Sequence, residues 1–175
     1  MCALCATCFI SRAQDGGHSG LDYSIGLGYD FMTSNESNDN GSPTASIAIG
    51  KQFNSSFYLG GRIGAHIVDG QFNDDHGDPK VYVPIMVDFR TYIPNGGRVT
   101  PFCDFGTGFI FNSLYDNNGE SHHVGFNVMP GLSYNLSDQF ALDVSGGYLH
   151  RFHVGGEAKG SKGYISFRIA LRFHK

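Results

Sequence analysis

Leu21-Asp22-Tyr23-Ser24-Ile25-Gly26-Leu27-Gly28-Tyr29-Asp30-Phe31 alternates apolar and polar side chains without a break. Successive side chains of an extended chain point to opposite faces, so a period of two makes this segment a strand with two dissimilar sides. One side carries Leu21, Tyr23, Ile25, Leu27, Tyr29 and Phe31. The other carries Asp22, Ser24, Gly26, Gly28 and Asp30. The pattern recurs seven times, over residues 45–53, 57–67, 81–89, 99–111, 124–134, 140–148 and 165–173. Eight strands are the expectation.

The two faces are made of different material. Within the eight segments the apolar face holds one formal charge, Lys51, close enough to a strand end for its stem to reach out of an apolar layer. The opposite face holds Asp22, Asp30, Asp88, Asp104 and Asp143 against Arg62, Arg90, Arg151, Arg168 and Arg172, interleaved with Gly, Ser, Tyr and Asn. A charge at the hydrocarbon midplane costs about 2–4 kcal/mol, so the uncharged face is the one expected to meet lipid. The charged face is then enclosed.

Connections alternate in length. Asn54-Ser55, Pro94-Asn95-Gly96-Gly97 and Asn135-Leu136-Ser137-Asp138-Gln139 are short and built from turn residues. Residues 34–43, 69–80, 112–121 and 155–163 are longer and polar. Aromatics gather at strand ends: Phe53, Phe57, Phe89, Tyr134, Phe140 and Phe173 on the turn side, Phe31, Phe109, Phe111 and Tyr148 on the loop side. Such girdles belong at membrane–water interfaces. The fold class these features predict is all-β, an eight-stranded antiparallel up-and-down transmembrane β-barrel. Its long loops are expected outside the cell and both termini in the periplasm.

Several classes are excluded or disfavoured. No stretch approaches the roughly 20 apolar residues of a membrane helix. Twelve Lys+Arg against sixteen Asp+Glu give a net charge of -4 with no basic stripe, so nucleic acid is not an expected partner. A soluble lipocalin-like binding barrel would share the period of two, with the apolar face turned inward around a ligand. Against it, Gly26, Gly28, Gly60, Gly64, Gly106, Gly108, Gly125, Gly131 and Gly147 all fall on the charged face. Glycine suits a crowded narrow lumen and weakens a strand that faces water.

Cys2, Cys5 and Cys8 precede Ser11-Arg12-Ala13, a small-x-Ala pattern of the kind signal peptidase cuts. Residues 1–13 are expected to be secretory signal and 14–175 the barrel. Cys103, alone in the body of the chain, cannot close a disulfide there.

Three stretches carry a resemblance: Asn135 to Gln139 with the strand Phe140-Ala141-Leu142-Asp143-Val144-Ser145-Gly146-Gly147-Tyr148; the run Thr100-Pro101-Phe102-Cys103-Asp104-Phe105-Gly106-Thr107-Gly108-Phe109; and the closing Tyr164-Ile165-Ser166-Phe167-Arg168-Ile169-Ala170-Leu171-Arg172-Phe173. They resemble the OmpA/OmpX-like small outer-membrane β-barrels, over the barrel domain and without the peptidoglycan-binding domain. The resemblance implies residence in a Gram-negative outer membrane among its lipids and lipopolysaccharide. It also implies Phe173 as the terminal aromatic read by the barrel-assembly machinery, although His174-Lys175 follow it. A non-enzymatic role in envelope integrity, or in surface interaction with an extracellular ligand through the loops, is the implied function.

The chemistry expected inside is ionic. Asp22, Asp30, Arg62, Asp88, Arg90, Asp104, Asp143, Arg168 and Arg172 should pair within a bore just wide enough for side chains, because an isolated buried ion is costly. The expected pairs are Arg90 with Asp88 or Asp104, and Arg168 or Arg172 with Asp143 or Asp22. The alternative for this set is a narrow porin-like conduit. A lipid-modifying enzyme is the other alternative, with Ser145, His150, His153 and Glu157 as the nearest approach to a triad, yet parity sends Ser145 inward and His150 outward. No cofactor is expected. Histidines cluster towards the loop side, and His122, His123 and His153 are the nearest to metal ligands, without the spacing of a strong site.

Overall fold

The computed structural model describes residues 20–33, 41–68, 80–112, 122–154 and 161–175. The expected signal at 1–13 and the central parts of all four long connections lie outside the described residues. The strands are β1 (Gly20–Met32), β2 (Ser42–Asn54), β3 (Phe57–Val68), β4 (Lys80–Tyr92), β5 (Val99–Asn112), β6 (His122–Asn135), β7 (Phe140–Val154) and β8 (Ser161–His174). They form one closed barrel in sequence order, every neighbour antiparallel. β1 closes against β8 from Asp22–His174 to Met32–Tyr164.

Strands run further towards the loop side than the sequence pattern suggested. Ser42, Pro43, Lys80, Asn112 and residues 161–163 belong to strands rather than to polar connections. Residues there keep their backbone in the ladder, and the Ser42 hydroxyl donates to the Ile67 carbonyl oxygen at 2.9 Å. On the other side the turns are tight. Asn54 ends β2 and its Oδ1 accepts from the Ser56 N–H at 2.8 Å. In the β4–β5 turn the Asn95 side chain accepts from Gly97 N and donates to Val99 O, while Gly96 takes a positive φ of 69°. Glycine adopts that left-handed conformation without a Cβ penalty. In the β6–β7 turn the Ser137 hydroxyl accepts from the Phe140 N–H at 3.1 Å.

Two prolines inside strands are accommodated by letting one ladder lapse. Pairing of β3 with β4 passes from Ile63–Ile85 to His66–Tyr82, opposite Pro84, and pairing of β6 with β7 passes from Val128–Tyr148 to Gly131–Ser145, opposite Pro130. Proline has no N–H to donate, so the break falls on one flank only; Pro84 stays registered with Ile110 and Pro130 with Cys103.

The facing of the side chains is unambiguous. Ile25 is 68% exposed, Ile85 50% and Ile169 56%, whereas Arg62 is 8% and Asp104 1%. Apolar side chains form the outside and the ionic ones the inside, the reverse of a soluble barrel. Ring contacts link the turn-side girdle, Phe53–Phe57–Phe89–Phe105, and a second set joins Tyr29, Phe31 and Phe167 on the loop side. Lys51, outward as expected, lays its ammonium 5.6 Å from the Phe53 ring centroid at the turn-side edge.

Candidate functional site: the ionic lumen

Alternation puts one residue in two of each strand into the bore, and the strand stagger decides which of these meet. Nearest the turns, His174 contacts Asp22, and Asp22 also receives Arg172 at 3.2 Å. Arg172 reaches Asp143 at 3.3 Å, Arg90 meets the same carboxylate at 2.5 Å, and Arg90 continues to Asp104 at 3.3 Å. Arg168 ends this chain on Asp104 at 3.4 Å. Midway, Arg62 and Asp88 form a pair at 2.8 Å. Towards the loop side, Asp30 accepts from Ser166 Oγ at 2.6 Å and gathers His66 at 2.9 Å and Arg151 at 3.5 Å.

Of the expected alternatives, Arg90 reaches Asp104, and Arg172 reaches both Asp143 and Asp22. Arg90 does not pair with Asp88; it crosses the lumen to Asp143, while Arg62 takes Asp88. Arg168 meets neither Asp143 nor Asp22, both of which go to Arg172, and turns to Asp104 instead. Asp88 and Arg90 are two apart on one strand and project side by side. A guanidinium long enough to cross the bore reaches a carboxylate on a facing strand more directly.

Aromatic rings hold the guanidinium groups. Arg90 lies 4.5 Å from the Phe102 ring centroid and 5.7 Å from that of Tyr58, and Tyr92 is beside both Arg90 and Arg172. Tyr58, Tyr92 and Phe102 form a buried cluster at the turn end. Arg151 is stacked likewise, 4.3 Å from Tyr164 and 5.6 Å from Tyr82. Guanidinium planes stack on aromatic faces and sit in such places more readily than ammonium groups. Met86, Ile110, Met129 and Leu149 fill the remaining bore.

Sequence reasoning missed these apolar lumen residues, along with the roles of Phe102, His66 and His174. Parity alone could have found them: Phe102 shares its face with Asp104, His66 with Arg62, and His174 with Arg172. What space is left is small. Two interior cavities measure about 40 Å3 and 10 Å3, the first against Arg62, Asn127 and Arg168, the second against Asp22, Asp88 and Arg90. The larger has room for a water or two and the smaller is at the limit for one. A wider vestibule of about 620 Å3 opens among the short turns, with Tyr92 and Arg172 in its lining.

The other candidates are separated. Ser145 is buried in the lumen, whereas His150 lies on the outer face, 3.0 Å from the Tyr148 hydroxyl through Nδ1. Glu157 lies outside the described residues. Phe173 packs against Phe140 and Tyr23 at the closing seam. His123 and His153 are brought together across β6 and β7, Nε2 to Nδ1, at 3.4 Å. His122 is registered opposite Val154 at the start of β6. Among the described residues no group of three metal-ligating side chains converges.

A closed eight-stranded barrel with a lipid-facing belt and an ionic bore is the frame in which likeness to known proteins becomes informative. The family model described as outer membrane protein beta-barrel domain matches residues 1–173. The chain belongs to this family. It is an integral outer-membrane β-barrel protein. No curated protein matches the sequence. Among solved structures of the same architecture, Neisserial surface protein A aligns with a TM-score of 0.63 at 13% identity, over 90% of this chain and 99% of that one. The outer membrane enzyme PagL aligns at 0.56 and 15% identity, over 85% and 97%. The attachment invasion locus protein Ail of Yersinia pestis aligns at 0.54 and 13%, over 92% and 100%. At such identities the likeness extends to the fold, which this family member shares with a surface protein, an enzyme and an attachment protein alike.

Proposed function

We propose that this chain is a sealed, non-enzymatic surface barrel that supports the envelope and presents its long connections for interaction. The observation that carries the reading is the charge-balanced interior: among the described residues, five Asp and five Arg, each in contact with an opposite charge, are packed with stacked rings, and the cavities between them measure about 40 Å3 and 10 Å3. Opening such a bore to ions would strand buried charges, and removing one partner of a buried pair costs about 3–5 kcal/mol. The long connections face the exterior and both termini the periplasm in this reading. Outer-membrane lipid and lipopolysaccharide surround the belt, and an extracellular ligand is met through the loops. Phe173 serves as the aromatic signal for the barrel-assembly machinery.

The test is recording from the detergent-folded protein in planar bilayers. The expected trace shows no stable open level, and a steady conductance would replace the plug with the conduit. Enzymatic modification of lipid is tested separately by the mass of lipid A from cells expressing the barrel, which is expected to be unchanged.

A further inference from the structure

His123 is the second residue of β6 and His153 the last but one of β7, and the two are direct cross-strand partners. Both share the inward face of their strands at the loop-side mouth, His123 with Gly125 and Asn127, His153 with Arg151 and Leu149. Neither side chain is fully buried. Their rings stand edge to face with centroids 5.0 Å apart, and Tyr82 closes the far side of His123 edge-on at 6.0 Å. The two facing nitrogens, His123 Nε2 and His153 Nδ1, are 3.4 Å apart.

At 3.4 Å the two nitrogens stand at the long end of hydrogen-bonding distance. That spacing matches another arrangement closely. An ion bound tetrahedrally at about 2.0–2.1 Å from each nitrogen holds the two nitrogens about 3.3–3.4 Å apart. Imidazole nitrogen is a preferred donor for zinc and copper. Rigid strands fix both backbones, and Tyr82 limits the rotation of one ring, so the pair needs little reorganisation to grip an ion. Arg151, two residues before His153 on the same face of β7, is engaged with Asp30 at 3.5 Å and stacked on Tyr164.

We propose that His123 and His153 form a two-histidine chelate for a divalent transition ion, zinc or copper, at the loop-side mouth of the barrel, with water completing the coordination. The ion ties the ends of β6 and β7 together where their ladder runs out. It is independent of the sealed-lumen reading, since the site sits above the ionic network and does not need the bore to be closed.

Calorimetric titration of untagged full chain, folded in detergent, with zinc chloride and then copper chloride tests the site. A saturable uptake of a single ion per barrel is expected. His123→Ala, His153→Ala and the polar His153→Asn should each weaken it at least about tenfold, while His150→Ala, on the outer face, leaves it unchanged. Zinc should also raise the temperature at which the unboiled gel form is lost, in the parent and not in the His153 variants. Folding of each variant is read from the same gel. The chelate is overturned by absence of uptake of either ion, by uptake that persists in the folded His123 and His153 variants, or by equal loss in His150→Ala.

Discussion

Tyr58 and Gly60 stand two apart on the inner face of β3, and the phenol end of Tyr58 lies over both Gly60 and its cross-strand partner Gly50. A Cβ on Gly60 would run into that ring and come within 2.7 Å of the Ile49 carbonyl oxygen, which belongs to the backbone and cannot step aside. Its neighbour Gly61 faces out, and a Cβ there meets nothing nearer than 3.8 Å. Gly60→Ala is therefore expected to cost about 1–3 kcal/mol through overcrowding. Gly61→Ala should be neutral or slightly stabilising, because it restricts the unfolded chain. Urea unfolding in lipid vesicles separates the two. Arg90 presents the opposite demand, for a planar fork between two carboxylates and against three rings. Arg90→Ala leaves buried anions short of a partner and is expected to cost about 3–5 kcal/mol. Arg90→Lys should recover little of this, since a point charge neither stacks nor forks.

The strand is the unit at which the fold was written most openly. Ile25, Leu27, Ile47, Ile49, Ile165 and Ile169 announce a lipid face because each is flanked by a small or charged residue, and all of them are exposed. Val144→Arg places a charge in that face and is expected to cost about 2–4 kcal/mol or to block insertion. Ser145→Ala, one position along and turned inward, should alter little. The gel mobility of unboiled protein reports both outcomes. Strand ends were less legible on the loop side, where Ser42, Pro43 and Lys80 are polar or turn-forming yet stay in the ladder. Composition marks where the hydrocarbon ends, not where hydrogen bonding does. The pairing of lumen charges was legible in part, since Arg90 with Asp104 and Arg172 with Asp143 and Asp22 were among the expected pairs. Parity tells which residues enter the bore, but Arg90 meets Asp143 from β4 to β7, and only the stagger of the closed sheet sets that meeting.

At the scale of the molecule, closure turns eight marginal strands into one cooperative object. β1 has a partner on each side along nearly its whole length, so no sheet edge is left for a foreign strand. Unboiled protein should accordingly migrate as a compact species resistant to sodium dodecyl sulfate, and shift only on heating. Pro84 and Pro130 leave the wall less tightly laced at two places, β3–β4 and β6–β7.

The same outward Ile, Leu and Phe side chains that suit this chain to a bilayer make it a poor traveller. Before insertion they have no hydrocarbon to face, and a water-borne chain with so much grease on alternate residues is drawn to its own kind. Raising synthesis should produce clumped, unfolded polypeptide well before the bilayer itself is crowded.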